Sequence, residues 1–502
     1  MGTLSDYERY DGLGLAELVA SKQVTAQELL DAAIERVEQR NPMINAVINR
    51  LYDQARAAIA RGLPPGPFTG VPYLLKDMGI QYAGAVTANG SQFFRDAVAD
   101  HDSEIVARLK RAGLVIFGKT NTPELGLSTS TEPRLFGPTR NPWNREYSSG
   151  GSSGGAAAAV AAGMLPMAHA TDGAGSIRIP ASMCGLFGLK PTRARTPAGP
   201  DLGENWNGAS LGHAITRSVR DSAALLDATA GPEIGDPYWA PPPSRPFLAE
   251  VGVDPGALKI AVTTRAWNGQ PTDPECAAAV AAAAKLCEQL GHHVADARPE
   301  WHEEARVAAT QVIIAASVRA VLEERAERVG RAVSAQDVEP RTWSVAQSGR
   351  EKSASDYARA IRAIHRMGRA LGNFFRSWDL LLTPTMCRPP HKLGVLSIAN
   401  PDNDSFLQAL IGTIAFTSPF NSSGHPAMTV PLHYTKDRLP VGVQFVARFG
   451  DEATLIRLAA QLERAQPWAA NFVTPAPGTR GPAAPPAEEA GPRQSGRKRA
   501  SS

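Results

Sequence analysis

Ser148-Ser-Gly-Gly-Ser152-Ser153-Gly-Gly-Ala-Ala-Ala-Ala-Val-Ala-Ala-Gly163-Met-Leu-Pro-Met-Ala-His-Ala-Thr171-Asp172-Gly173-Ala174-Gly175-Ser176-Ile-Arg178 packs four local signals into one run. Its first eight residues are only Ser and Gly, which predicts a tight loop. The alanines that follow are the best helix formers, and Gly163 closes that helix. Leu165 to Thr171 then predicts a short strand, and Asp172 to Ser176 a second Gly/Ser turn. Small residues at such turns let backbone N–H groups converge on one point, beside several serine hydroxyls.

Working outward, the same alternation continues. Upstream, Thr25-Ala-Gln-Glu28 fits a capping box, and Leu29, Leu30, Ala33, Ile34 and Val37 recur at helical spacing. Asn41-Pro42 is expected to stop that helix. Phe68 to Leu75 reads as a buried strand running into Lys76-Asp77, Glu104 to Ala112 as a helix, and Leu114 to Phe117 as a strand. Downstream, Leu258 to Val262 is a strand, and Asp273 to Leu290 a helix closed by Gly291. Residues 303–375 read as almost wholly helical, and Asp379–Leu382 and Gly442–Val446 return to strand. Strands alternating with helices argue for an α/β sheet. One domain is expected over 1–474. From Pro475 the chain is Pro, Gly, Ala and charge, with Arg493, Arg497, Lys498 and Arg499 near its end, which predicts a disordered basic tail over 475–502.

The 502 residues carry a net charge of +3, with no basic cluster in the body of the chain, so no nucleic-acid face is expected. Cys184, Cys276, Cys287 and Cys387 are widely spaced and form no CxxC pair, which fits free thiols in a reducing compartment. Met1 to Tyr10 is polar and acidic, unlike a signal peptide, and the small-apolar run Ala156–Ala162 is too short to span a bilayer. A soluble, cytoplasmic protein is expected, with no membrane partner. No metal site is expected, because the histidines show no i, i+4 or HxH grouping, and the adjacent His292 and His293 point to opposite sides in a strand.

Two motif matches fail on physical grounds or stay secondary. Gly113-Leu-Val-Ile-Phe-Gly118-Lys119-Thr120 satisfies the P-loop pattern, but its middle residues form a buried strand whose N–H groups belong to a sheet. Gly150-Gly-Ser152-Ser-Gly154 satisfies the nucleophile elbow of Ser-His-Asp esterases. That reading needs a downstream His; His292, His302, His365, His391, His425 and His433 follow, and only His425, in Ser-Gly-His-Pro, has a turn-signalled context.

A third match is much longer. It runs from Ser149 to Gly155, through Thr171 to Ala181, to Cys184-Gly-Leu-Phe-Gly-Leu-Lys190-Pro191-Thr192, with Gly70-Val-Pro-Tyr-Leu-Leu-Lys76-Asp77 upstream. Ser152 and Ser176 stand 24 residues apart. Together with Trp378 to Thr385 and Gly424 to Gln444, these stretches resemble the amidase signature family over about residues 10 to 472. The resemblance implies a three-layer sandwich: a mixed, twisted central sheet flanked by helices. It implies a hydrolase of carboxamide bonds, needing no cofactor, whose partner is a small-molecule amide. Dimers are common in that family, which leaves a homodimer open. One departure stands out: the family commonly has Gly where this chain has Ala174. If that position needs φ > 0, Ala is strained there.

Carried over to this chain, the resemblance makes Ser176 the nucleophile and Ser152, held in a cis peptide, the proton relay to Lys76. A serine hydroxyl is a weak nucleophile until a base takes its proton, and lysine is a base only when neutral. Free lysine titrates near ~10.4, and burial can lower that by roughly 3 to 5. Asp77 opposes this if its carboxylate is close. The turn Gly173-Ala174-Gly175-Ser176 is expected to supply the oxyanion hole, each donor worth about 2.7–4 kcal/mol in comparable enzymes. Asp172 and Arg178 are expected to pair and brace that turn. Ser153 fits either a local hydrogen-bonding role or the N-cap of the Ala-rich helix, and Thr171 either the relay or strand packing. Ser148 and Ser149 read as solvated loop, and Cys184 as an inert core thiol. Residues 301–375, with Trp301, Val312, Ile313, Ile314, Trp343 and Tyr357, are expected to wall the pocket, or else to be ordinary helix core. The glutaminase subunit of a tRNA-dependent amidotransferase is the other reading within the family.

Overall fold

Eleven strands pair into one sheet in the computed structural model, which describes residues 6–400 and 402–468. The expected tail at 475–502 lies outside the described residues. In chain order the strands are β1 (Val47–Arg50), β2 (Pro72–Lys76), β3 (Val115–Thr120), β4 (Met167–Asp172), β5 (Phe187–Lys190), β6 (Leu211–Thr216), β7 (Lys259–Val262), β8 (His293–Asp296), β9 (Leu380–Pro384), β10 (Ala427–Tyr434) and β11 (Pro440–Ala447). Across the sheet they lie in the order β1-β3-β2-β4-β6-β5-β10-β11-β9-β7-β8. β2 is parallel to β3 and β4, and β7 to β8 and β9; the other pairs are antiparallel.

The α-helices are α1 (Gly12–Ala20), α2 (Ala26–Ile44), α3 (Tyr52–Ala60), α4 (Glu104–Arg111), α5 (Gly154–Ala161), α6 (Arg178–Cys184), α7 (Val219–Thr229), α8 (Pro274–Gln289), α9 (Glu303–Val329), α10 (Pro340–Arg350), α11 (Ala354–Phe374), α12 (Asn403–Ile414), α13 (Ser418–Ser423) and α14 (Glu452–Ala465). They cover both sheet faces, as strand alternation requires. On β9, Leu380 and Leu382 join a core with residues of α7, α8 and α14. Leu381 between them faces the other way, toward Met367 and Leu371 of α11 and Phe420 of α13. Helix, sheet and helix make the three layers.

Several boundaries differ from the sequence reading. Asn41-Pro42 does not stop α2, which runs on to Ile44 and ends at Asn45 in the left-handed conformation. Asn41 instead ties the next segment: its Oδ1 accepts from the amides of Ala46 and Val47, both at 2.8 Å. The segment Phe68–Val71 is a turn, and the strand begins only at Pro72. The P-loop look-alike is strand to its end, with Lys119 and Thr120 inside β3 and fully buried. Helix α9 is long and apolar enough, by length and composition alone, to cross a membrane. In the fold it packs one stripe, including Ala309, Ile313, Val318 and Leu322, against its neighbours.

Candidate active site

The loop before α5 and the turn after β4 meet at the end of β2. Lys76 is the last residue of β2 and is completely buried. Its Nζ lies 2.7 Å from Ser152 Oγ, 2.8 Å from Thr171 Oγ1 and 3.0 Å from Ser153 Oγ. Among the described residues three hydroxyls bond it and no carboxylate pairs with it. A neutral amine has two N–H donors and one lone pair, so one of those hydroxyls donates to it. Burial drives the Lys76 pKa well below the ordinary lysine value, against the pull of the Asp172 carboxylate. Asp77 does not counter this. Its carboxylate turns to the amide of Ala88 at 3.2 Å and to Lys119 Nζ at 3.6 Å, and burial pushes its pKa up to about 7.

Ser152 follows a cis peptide bond, Gly151–Ser152. Two glycines give it room. A Cβ on Gly151 would stand 2.8 Å from the Ser130 amide, and one on Gly126 would stand 3.3 Å from Ser152 Oγ. Ser153 occupies the N-cap position of α5 but its side chain caps nothing. Besides Lys76, its Oγ donates to Thr171 O at 3.2 Å and accepts from Thr171 N at 3.3 Å. The N-cap alternative therefore falls, and Thr171 sits on the amine rather than merely packing. Ser148 and Ser149 are buried rather than solvated: Ser148 Oγ bonds Ser130 Oγ at 2.7 Å, and Ser149 Oγ donates to Thr139 O. Cys184 is buried against Ser149 O, and burial raises its pKa.

Ser176 lies in the turn between β4 and α6 and is 7% exposed. Among the described residues its hydroxyl bonds no group of the chain, so the Lys76–Ser152 link is formed while no hydrogen bond joins Ser152 to Ser176. Asp172 organises the turn. Its carboxylate accepts from the amides of Gly175 at 2.7 Å and Ile177 at 3.2 Å, and from Arg178 Nε and Nη2, both at 2.9 Å. Burial opposes its ionisation, but the Arg178 guanidinium and these donors hold its pKa well below the usual carboxylate range. Arg178, itself fully buried, also donates to Thr417 O, Gln444 Oε1 and Asn421 Oδ1.

This arrangement corrects the expected oxyanion donors. The Gly175 amide is committed to Asp172 and cannot also serve a developing oxyanion. The amides of Gly173, Ala174 and Ser176 donate to no group of the chain among the described residues. Ala174 is not in the left-handed region, so its methyl carries no backbone penalty; Gly175, at φ +126°, is the residue that must be glycine. A Cβ there would stand 2.5 Å from Thr417 Oγ1, which donates to Ala174 O. Gly175→Ala is expected to destabilise the protein by about 1–3 kcal/mol through overpacking, read from a denaturant midpoint. An unaltered midpoint would remove this account of the turn.

Three further residues at the site escaped the sequence reading. Thr417 and Asn421 come from the α13 region, and Asn421 Nδ2 donates to Asp172 O and to Ala209 O, both at 2.9 Å. Trp206 lies against Gly173, where an added Cβ would stand 2.8 Å from the indole. Val312, Ile313 and Tyr357 share a hydrophobic cluster with Trp206. Trp301 does not; it stacks on Trp267 at 4.3 Å. Trp343 and Ile314 pack with Phe93 and Phe94. His425, the elbow reading's histidine, is stacked on Phe375 at 5.4 Å and buried, which lowers its pKa to about 3. Among the described residues its ring bonds neither Ser152 nor Ser176, so it is not placed to activate them.

A serine turn braced by Asp172 and Arg178, beside a buried lysine ringed by hydroxyls, on this sheet, fits one family. Residues 28–456 match the Amidase family model, and the chain belongs to the amidases, as a hydrolase acting on amides. More particularly, it is 41% identical over 472 residues to the 6-aminohexanoate-cyclic-dimer hydrolase of Paenarthrobacter ureafaciens, covering 92% of this chain and 95% of that one. A solved structure of 6-aminohexanoate cyclic dimer hydrolase complexed with substrate matches at TM-score 0.89 and 40% identity, over 93% of this chain and 99% of that one. A bacterial aryl acylamidase of the amidase signature family matches at TM-score 0.84 and 28% identity, over 94% and 99%.

Proposed function

We propose that this protein hydrolyses linear or cyclic amides of the 6-aminohexanoate kind through an acyl-enzyme on Ser176, with Ser152 and Lys76 as its proton relay. The observation that carries the reading is the Lys76 amine: buried, 2.7 Å from Ser152 Oγ, and, among the described residues, paired with no carboxylate. In the neutral state it accepts the Ser152 proton while Ser152 Oγ takes the proton of Ser176. Ser176 Oγ then bonds to the carbonyl carbon, and the carbonyl oxygen becomes an oxyanion facing the amides of Gly173, Ala174 and Ser176. Collapse breaks the C–N bond. The amine leaves with the proton returned through Ser152, and an ester remains on Ser176. Water attacks that ester by the same relay, releasing the acid and restoring the serine. Ser153 and Thr171 orient the amine, and Asp172 and Arg178 hold the turn.

The region 301–375 forms part of the pocket through Val312, Ile313 and Tyr357, within a single catalytic domain. The substrate assignment is supported by the likeness to the cyclic-dimer hydrolases along 92% of the chain. A fluorophosphonate probe followed by peptide mapping tests the chemistry: the adduct is expected on Ser176, and Ser176→Ala is expected to abolish it. An adduct on Ser152 instead would reverse the two roles and defeat the proposal. Release of amine from the 6-aminohexanoate cyclic dimer tests the substrate.

A further inference from the structure

The loop that carries Trp206 is built in an unusual way. An isolated bridge between Asn205 and Ser210 closes it, and Ser210 N donates to Asn205 O at 3.2 Å. Inside it, Trp206 and Asn207 both stand at φ +53°. That conformation is uncommon for residues with a Cβ, and for a bulky aromatic it is an outlier whose cost the surrounding structure must hold. The loop is held. Asn421, which fixes Asp172, also takes Ala209 O, and Arg193 Nε donates to Gly208 O at 3.2 Å. One amide side chain therefore couples the loop to the turn that carries Ser176.

What the loop presents is an indole, with its Cε3–Cζ3 edge against Gly173, three residues before Ser176. The ring is only partly buried. Its N–H donates to no group of the chain among the described residues, whereas an indole serving only as core usually finds a partner for that group. Its hydrophobic neighbours belong to a cluster that includes Ala309, Val312 and Ile313 of α9, and Tyr357, Ala360 and Ile364 of α11. The indole thus links the turn beside the nucleophile to a cluster of aliphatic and aromatic side chains on α9 and α11.

Resting on the reading of Ser176 as the acylated serine, we infer that Trp206 is a specificity-determining residue that selects amides carrying unbranched methylene chains next to the scissile bond. A chain laid along the indole leaves water; a one-carbon substituent gains little there. Each buried methylene is worth close to fourfold in binding, so even partial contact separates long from short amides widely.

The experiment compares kcat/KM for N-hexylhexanamide and N-methylacetamide, measured by amine release, in wild type, Trp206→Ala and Trp206→Phe. Trp206→Ala is expected to reduce the long-to-short ratio by about 10- to 100-fold, and Trp206→Phe, which keeps an aromatic face, by less than about threefold. If Trp206→Ala lowers both substrates in parallel, or leaves the ratio unchanged, Trp206 merely packs the fold and the inference is wrong. A wild-type ratio near unity also overturns it. If the wild type releases amine from neither substrate and takes no fluorophosphonate on Ser176, the underlying assignment of the nucleophile fails first.

Discussion

Lys76→Ala should cost about 10²–10⁴-fold in kcat/KM, the usual worth of a positioned acid–base group, with little change in the KM of a substrate that never touches the amine. The amine lies 2.7–3.0 Å from three hydroxyls, so its loss removes the base that, among the described residues, contacts Ser152. The effect of pH carries a sign. The working form is the neutral amine, so activity falls as pH drops through the Lys76 pKa. Burial moves that pKa well below the ordinary lysine value, so the acid limb should lie below the usual lysine range. An acid limb at ordinary lysine pH, or a Lys76→Ala enzyme of near wild-type activity, would show that another group takes the proton. Lys76→Arg should not rescue, because guanidinium stays protonated.

The second large effect concerns stability. Arg178→Met removes the ion-pair partner of the buried Asp172 carboxylate and leaves it the lesser pull of Lys190, and breaking one side of such a pair costs about 3–5 kcal/mol. The deficit should depend on pH. In the wild type Arg178 depresses the Asp172 pKa, so the pair's contribution is complete above the unfolded carboxyl value and fades as pH falls toward the folded one. In the variant the desolvated carboxyl keeps the amides of Gly175 and Ile177 and the side chain of Asn421 but loses the guanidinium, so it takes up a proton more readily. The difference between the two proteins should therefore shrink from pH 7 toward pH 4 in urea titrations at matched salt. A deficit independent of pH would mean that lost packing, not the ion pair, accounts for it. Activity should fall as well, since the same carboxylate holds the amides of Gly175 and Ile177.

The residues around Lys76 were legible in the sequence because the chemistry compresses them into short, glycine-rich runs. Ser152, Ser153, Thr171, Asp172, Ser176 and Arg178 sit within one αβ unit, and the spacing of that unit is set by the helix and strand between them. Thr417 and Asn421 were not legible. They reach Asp172 and Ala174 from more than 240 residues away, and a lone polar side chain has no periodicity to announce its partner. Strand β10 was hidden for another reason. Pro431 argues against a central strand, yet it falls in the irregularity between Val430 and His433, where the ladder with β11 slips. Pro42 misled similarly, because the last turn of α2 absorbs it. The capping box at Thr25 and Glu28 was readable, being wholly local.

Helices α9 to α11 enclose apolar clusters of their own, one around Val318, Leu322 and Ala346, another around Ala309, Ile313, Ala360 and Ile364. Neither merges with the cores that clamp the sheet. Exchanges there can therefore alter the surface beside Trp206 without disturbing the packing that holds the sheet.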